Sequence, residues 1–187
     1  MRERGSPTRR GTIRSQAMKI GVLSDTHLRS PDPWLDRILD DLLSGSDVIL
    51  HAGDIVTRAV LERLEESGVI AVCGNMDDYE VADAIPQVRI VSAGTKKIAL
   101  IHGWGAKEGL EQRILDRVEH ERPDIVVYGH SHVPFWGKVG GIQMFNPGSA
   151  GPSRSAGKST VGVLEILNDH IEGTILPVNG CRVGYGN

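Results

Sequence analysis

From Met18 onward, short β-branched runs alternate with segments whose apolar residues recur at helical spacing, a pattern that predicts an α/β fold. Met18–Leu23 reads as a buried strand ending at Ser24-Asp25. Asp32 then caps a helix with Pro33 in its first turn and a buried stripe of Trp34, Leu35, Ile38, Leu39, Leu42 and Leu43. Asp47–Leu50 gives a second strand. Thr57 opens a second helix with Val60, Leu61 and Leu64 facing the core, and Val69–Cys73 follows as a third strand. After Pro86 the texture changes: Val88–Val91 and Lys97–Ile101 read as neighbouring strands turned around Gly94. Leu110, Ile114, Leu115 and Val118 share one helical face, and Ile125–Tyr128 is a buried strand that stops at Gly129. The rest is strand and turn: Val133–Val139, Ile142–Phe145, Thr160–Leu167 and His170–Val178. The expected architecture is two packed sheets flanked by helices.

Length and composition narrow this picture. A chain of 187 residues suits one domain and disfavours two independently cored ones. Its 40% hydrophobic and 24% charged content is ordinary for a globular domain, and the longest apolar run, Val69–Cys73, cannot cross a bilayer. Residues 1–17 hold five arginines and one glutamate, so this stretch carries +4 and the remainder −7. The acidic body disfavours a nucleic-acid-binding role. Because residues 1–17 show no apolar periodicity, they are expected to form a disordered basic extension, with a single domain over 18–187. Arg9-Arg10 is followed by no apolar stretch that a twin-arginine export signal would use, so a cytoplasmic location and no membrane partner are expected. Cys73 and Cys181 are too few for a disulfide scaffold and too far apart for a chelating pair, which points to reduced thiols.

The histidines change the picture most. Five of the seven adjoin ends of expected strands, the edge of an open α/β sheet where ligand sites lie. Asp25-Thr26-His27 follows the first strand, Gly53-Asp54 the second and Gly74-Asn75 the third. His102 ends the strand through Leu100-Ile101, and Gly129-His130-Ser131-His132 follows Tyr128. Carboxylate, imidazole and amide oxygen together suit borderline divalent ions such as manganese, iron, zinc or nickel, and the absence of cysteine argues against a closed structural zinc site. Asp-x-His or Gly-Asp alone is as well explained by a turn or helix cap, and Gly-His-Ser-His is only somewhat more telling. Their joint occurrence at strand ends is what points to metal. The seven candidates are Asp25, His27, Asp54, Asn75, His102, His130 and His132; a carboxylate such as Asp54 can bridge two ions, so the count fits a dinuclear centre with positions open to water and substrate.

With these motifs in this order, and with Asn146-Pro147-Gly148-Ser149 after them, the chain resembles the calcineurin-like metallophosphoesterases from Met18 to about Val178. More narrowly it resembles the small bacterial and archaeal phosphodiesterases related to the retromer scaffold subunit. The resemblance implies a four-layer αββα sandwich. It implies two divalent ions, manganese first with nickel, zinc, iron and cobalt as alternatives. Asp25, His27 and His132 would hold one ion, Asn75, His102 and His130 the other, and Asp54 would bridge. The implied activity is hydrolysis of small phosphodiesters by a hydroxide held between the ions, with Asp54, Asn75 and His102 as catalytic residues. Asn75 also would contact substrate, and the small relatives imply a homodimer or homotetramer.

Two departures from the family pattern stand out. Many members follow Gly-Asn with a histidine thought to protonate the leaving group, whereas here Met76-Asp77 follows. Methionine cannot donate that proton, Asp77 does so only if its carboxyl pKa is raised, and a turn or capping role competes for it. Trp104 stands where relatives often show another histidine, as either a substrate wall or a core residue. His51 is either a supporting hydrogen-bond partner or a satisfied strand-end histidine. Asn146 to Ser149 is either a plain turn or a border of the metals. Arg154 is a candidate phosphate clamp, with a solvated loop arginine as the competing reading. The rival to an enzyme is a protein-interaction scaffold on the same fold, which has no need of all seven ligand residues.

Overall fold

Two five-stranded mixed sheets pack face to face, with helices on both outer faces, in a computed structural model that describes residues 17–152, 159–168 and 170–178. The first sheet runs in the order β10 (His170–Pro177), β9 (Thr160–Leu167), β1 (Met18–Leu23), β2 (Val48–His51), β3 (Ile70–Ala71). The second runs β4 (Val88–Ala93), β5 (Lys96–Ile101), β6 (Ile125–Val127), β8 (Ile142–Asn146), β7 (Phe135–Val139). β1, β2 and β3 are mutually parallel, as are β5, β6 and β8; β9, β10, β4 and β7 pair antiparallel to their neighbours.

The four layers follow from the alternation of side chains along the strands. Ile20, Val22, Leu50, Leu164 and Ile166 of the first sheet meet Ile98, Leu100, Ile125, Val127 and Phe145 of the second in the central core. The intervening residues point outward. Leu23, Val161 and Val163 join the stripe of α1 (Pro33–Arg37, continued as a π-helical turn over Ile38–Leu42) and of α2 (Arg58–Glu66). Ala99, Ile101, Val126, Tyr128 and Met144 join Leu110, Ile114 and Val118 of α4 (Leu110–Val118).

Helix starts obey local chemistry. Asp32 caps α1 by accepting from Trp34 N at 2.8 Å, with Pro33 opening the helix. Thr57 stands at the start of α2, but its hydroxyl donates to the Arg29 carbonyl at 3.3 Å. Two expectations need correction. Val69–Cys73 pairs as a strand only over Ile70–Ala71: Val72 N makes the last ladder bond, to His51 O, and Cys73 N then turns away to Pro86 O. A helix α3 (Tyr79–Ala84) was not foreseen: it buries only Val81 internally, leaving no periodic stripe, and its signal is the Asp78 carboxylate accepting from Val81 N at 3.0 Å. No helix among the described residues is long and apolar enough to cross a membrane.

Candidate metal centre

The turns beyond the ends of β1, β2, β3, β5 and β6 interlock, and they bring all seven candidate ligand residues together. Asp25 N donates to Gly53 O (2.9 Å), His27 N to Asp54 O (3.1 Å) and Gly129 N to His102 O (3.0 Å). Five of the seven have left-handed backbones, with φ of 54° at Asp25, 49° at His27, 59° at Asp54, 71° at His130 and 59° at His132. A non-glycine residue there costs about 1–3 kcal/mol, a strain that clusters at functional sites. The neighbouring glycines make room. A Cβ on Gly74 would lie 2.2 Å from Asp54 Oδ1, and one on Gly129 would lie 1.9 Å from Ser24 Oγ and 2.7 Å from Asp25 Oδ2.

Asp25 Oδ1, His27 Nε2, an Asp54 oxygen and His132 offer ligand atoms all within 4.8 Å of one another. Asp25 Oδ1 is 3.1 Å from His132 Nε2 and 3.8 Å from His27 Nε2, and His27 Nε2 is 3.7 Å from Asp54 Oδ2. The other oxygen of the same carboxylate, Asp54 Oδ1, lies 3.3 Å from His102 Nε2. His130 Nδ1 faces Asn75 Oδ1 at 2.9 Å, and the His102 and His130 rings meet edge to face with centroids 5.4 Å apart. Asp54 therefore turns one oxygen to His27 and the other to His102.

Hydrogen bonds on the far side of two rings fix which nitrogen is left as a lone pair. His102 Nδ1 contacts Ala52 O at 2.7 Å and His130 Nε2 contacts Gly105 O at 2.8 Å; a carbonyl only accepts, so both nitrogens carry protons. In the neutral ring, His102 Nε2 is then an acceptor, yet it faces the carboxylate oxygen Asp54 Oδ1 at 3.3 Å, while His130 Nδ1 faces the Asn75 side-chain amide, which can donate to it. Among the described residues, His102 Nε2 and the fully buried Asp25 Oδ1 have no well-aligned hydrogen-bond partner, only the close approaches of Asp54 Oδ1 and His132 Nε2. Buried lone pairs aimed at one another are costly unless a proton or a cation lies between them. A divalent cation fits this donor set.

Electrostatics agree with the crowding. Burial alone would raise the Asp54 carboxyl, but His102 and the Met76 amide, which donates at 2.8 Å, hold it below its ordinary value. Burial would lower His102, but Asp54 and Asp25 hold it above its ordinary value. His132 is held up by Asp25, against a smaller effect of burial.

Other expectations resolve as follows. Asp77 sits in the competing turn role: its two oxygens accept from Val56 N and Gly74 N, each at 2.6 Å, clipping the Asp54 turn to the Asn75 turn. The clip also holds Val56, a β-branched residue at φ 93° whose carbonyl accepts from Asp78 N. His51 is fully buried and faces no ligand residue side chain at hydrogen-bond distance. Its Nδ1 accepts from Gly53 N (3.1 Å), so Nε2 donates to Thr26 Oγ1 (3.1 Å), bracing both turns; burial pulls its pKa down to about 3. Asn146 to Ser149 is more than a turn. Asn146 Nδ2 donates to Gly129 O (2.9 Å), and Ser149 Oγ donates to Asp25 O (2.9 Å), tying two ligand turns together. Trp104 is 42% exposed, hence not a core residue. Arg154 and Cys181 lie outside the described residues, as do residues 1–16.

Arg113 is a residue the sequence reading missed. From α4 it donates to the carbonyls of Trp104 (3.0 Å), Glu108 (2.8 Å) and Ala106, fixing the loop whose Gly105 carbonyl orients His130. Its only sequence signal is a cation one turn into a helix, which says nothing of the loop it clamps.

The profile of the Calcineurin-like phosphoesterase superfamily domain matches residues 18–169. A probable metallophosphoesterase of Methanocaldococcus jannaschii is 32% identical over 165 residues, covering 86% of this chain and 82% of the relative. The crystal structure of a predicted phosphoesterase from Streptococcus pneumoniae superposes with a TM-score of 0.73 at 27% identity, covering 88% of this chain and 91% of that one. Vacuolar Protein Sorting 29 of Cryptosporidium parvum superposes with a TM-score of 0.63 at 19% identity, covering 86% and 97%, a likeness of fold. With its four layers, its candidate ligand residues at the strand ends and this profile match, the chain belongs to the calcineurin-like phosphoesterase superfamily.

Proposed function

We propose that the chain is a metal-dependent phosphoesterase that hydrolyses small phosphodiesters at a pair of divalent ions, manganese being the first choice. Asp25, His27 and His132 hold one ion, Asn75, His102 and His130 the other, and Asp54 is shared. The observation that carries this reading is the Asp54 carboxylate, with one oxygen toward His27 and the other toward His102, beside a buried Asp25 oxygen and a His102 nitrogen that have no well-aligned hydrogen-bond partner among the described residues. Bound divalent ions supply two things here: a lowered pKa for water and neutralisation of charge on the phosphoryl oxygens.

The chain's own residues supply placement. Ala52 O and Gly105 O hold the His102 and His130 rings in one tautomer and orientation. The turn after Asn75 offers no acid for the leaving group, since Met76 has no proton to give and both oxygens of Asp77 accept from amides. Esters whose leaving groups need no protonation, such as nitrophenyl esters, are therefore favoured over alkyl esters.

The test is recovery of activity. Metal-stripped protein should hydrolyse bis(4-nitrophenyl) phosphate once manganese or nickel is added, and His132→Ala should lose that response. No turnover with any divalent ion would favour the alternative of an interaction scaffold, which so far has only the likeness of fold behind it.

A further inference from the structure

A cavity of about 330 Å³ opens beside the Asn75–His102 half of the site. It is lined by Asn75, Val88, Ile101, His102 and Trp104, with Arg117 from α4. We propose that this cavity binds one ester substituent of the substrate, and that the substituent is a flat apolar ring bearing a second anionic group. The inference rests on the metal-centre reading above, because it places the phosphate at Asn75 and His102.

Three observations argue for it. Trp104 is 42% exposed, and it lines the same cavity as the candidate ligand residues Asn75 and His102, where an aromatic surface can stack on a bound ring. Its backbone is fixed, because Arg113 donates to the Trp104 carbonyl at 3.0 Å, so the wall is formed before a ligand arrives. Arg117 makes no ion pair or hydrogen bond with another described residue, leaving its guanidinium fork free for a carboxylate or phosphate. Among the described residues, Arg117 is the one arginine or lysine in the lining, which suits a single extra anion and not a polyanionic strand, whose recognition needs a stripe of cations.

The test is calorimetric binding of phosphonates, whose carbon–phosphorus bond removes turnover from the readout. Manganese is first titrated into the metal-stripped protein, then methylphosphonate, phenylphosphonate and 4-carboxyphenylphosphonate into the loaded protein. Phenylphosphonate should bind about threefold to tenfold tighter than methylphosphonate, a margin lost in Trp104→Ala and kept in Trp104→Phe. The 4-carboxy group should add about another tenfold, a margin lost in Arg117→Gln. 1,4-Phenylenebisphosphonate in the same series tells whether the second anion is better served as phosphate or as carboxylate. Manganese uptake with margins that survive both substitutions overturns the cavity assignment alone. Absence of manganese uptake overturns the metal centre and this inference with it.

Discussion

His102 and His130 each commit one ring nitrogen to a backbone carbonyl, Ala52 O and Gly105 O, whereas the Nδ1 atoms of His27 and His132 make no such hydrogen bond among the described residues. The first pair is aimed before any ion arrives; the second pair, whose side chains are 31% and 47% exposed, is oriented mainly by what its inner nitrogens face. Their Nε2 atoms lie 3.1 Å from each other, an arrangement that a shared proton or a cation must settle. The two halves meet at Asp54. The lesson is that one site can combine a preset half and an adaptable half, with different sensitivity to the residues behind them.

Asp54→Ala should have the largest effect because it belongs to both halves. Steady-state kinetics should show kcat down at least about 10²–10³-fold, and metal analysis should show fewer ions per chain. His27→Ala sharpens the comparison: the adaptable half should lose its ion while the Asn75 half keeps its own, so manganese titration should fall from two ions to one. Asp77→Asn removes one of the two acceptors that clip the Asp54 and Asn75 turns together. Metal affinity should fall about 10–100-fold, with about 1–3 kcal/mol lost in denaturant-measured stability. Arg113→Ala should act on the preset half only, lowering affinity for one ion by about tenfold while the other titrates as before. Equal weakening of both ions would erase the distinction between the halves.

The smallest effect expected at the site itself is that of His51, which acts on stability. Its pKa is pulled to about 3 in the fold by burial, against an ordinary value of 6.5. The unfolded chain therefore takes up the proton first. The stability contribution is whole above pH 6.5 and is lost as pH falls from there toward 3, amounting to about 2 kcal/mol by pH 5. Denaturant melts at pH 7 and pH 5 measure it, and His51→Gln should flatten that difference.

Most of the layers were legible in the sequence because burial leaves a period. Ile98 and Leu100 point to the central core while Ala99 and Ile101 point to α4, and Leu110, Ile114 and Val118 answer them at helical spacing. α3 was missed because six residues with one buried side chain carry no period. The clustering of the seven candidate residues was legible by type and place, as each follows a strand that burial had already marked. Their supports were not. Asp77 meets Val56 N across 21 positions, Asn146 meets Gly129 O across 17, and Arg113 meets carbonyls by a side chain long enough to reach any of several loops. Such contacts depend on which turns the fold makes neighbours, and a linear pattern does not contain that information.

The central claim is that Asp54 is shared between two cation positions. Anomalous diffraction from crystals soaked in manganese tests it most directly. The account predicts two peaks, one among Asp25, His27 and His132 and one among Asn75, His102 and His130, with an Asp54 oxygen at each. A single peak away from Asp54, or none at saturating manganese, would contradict it.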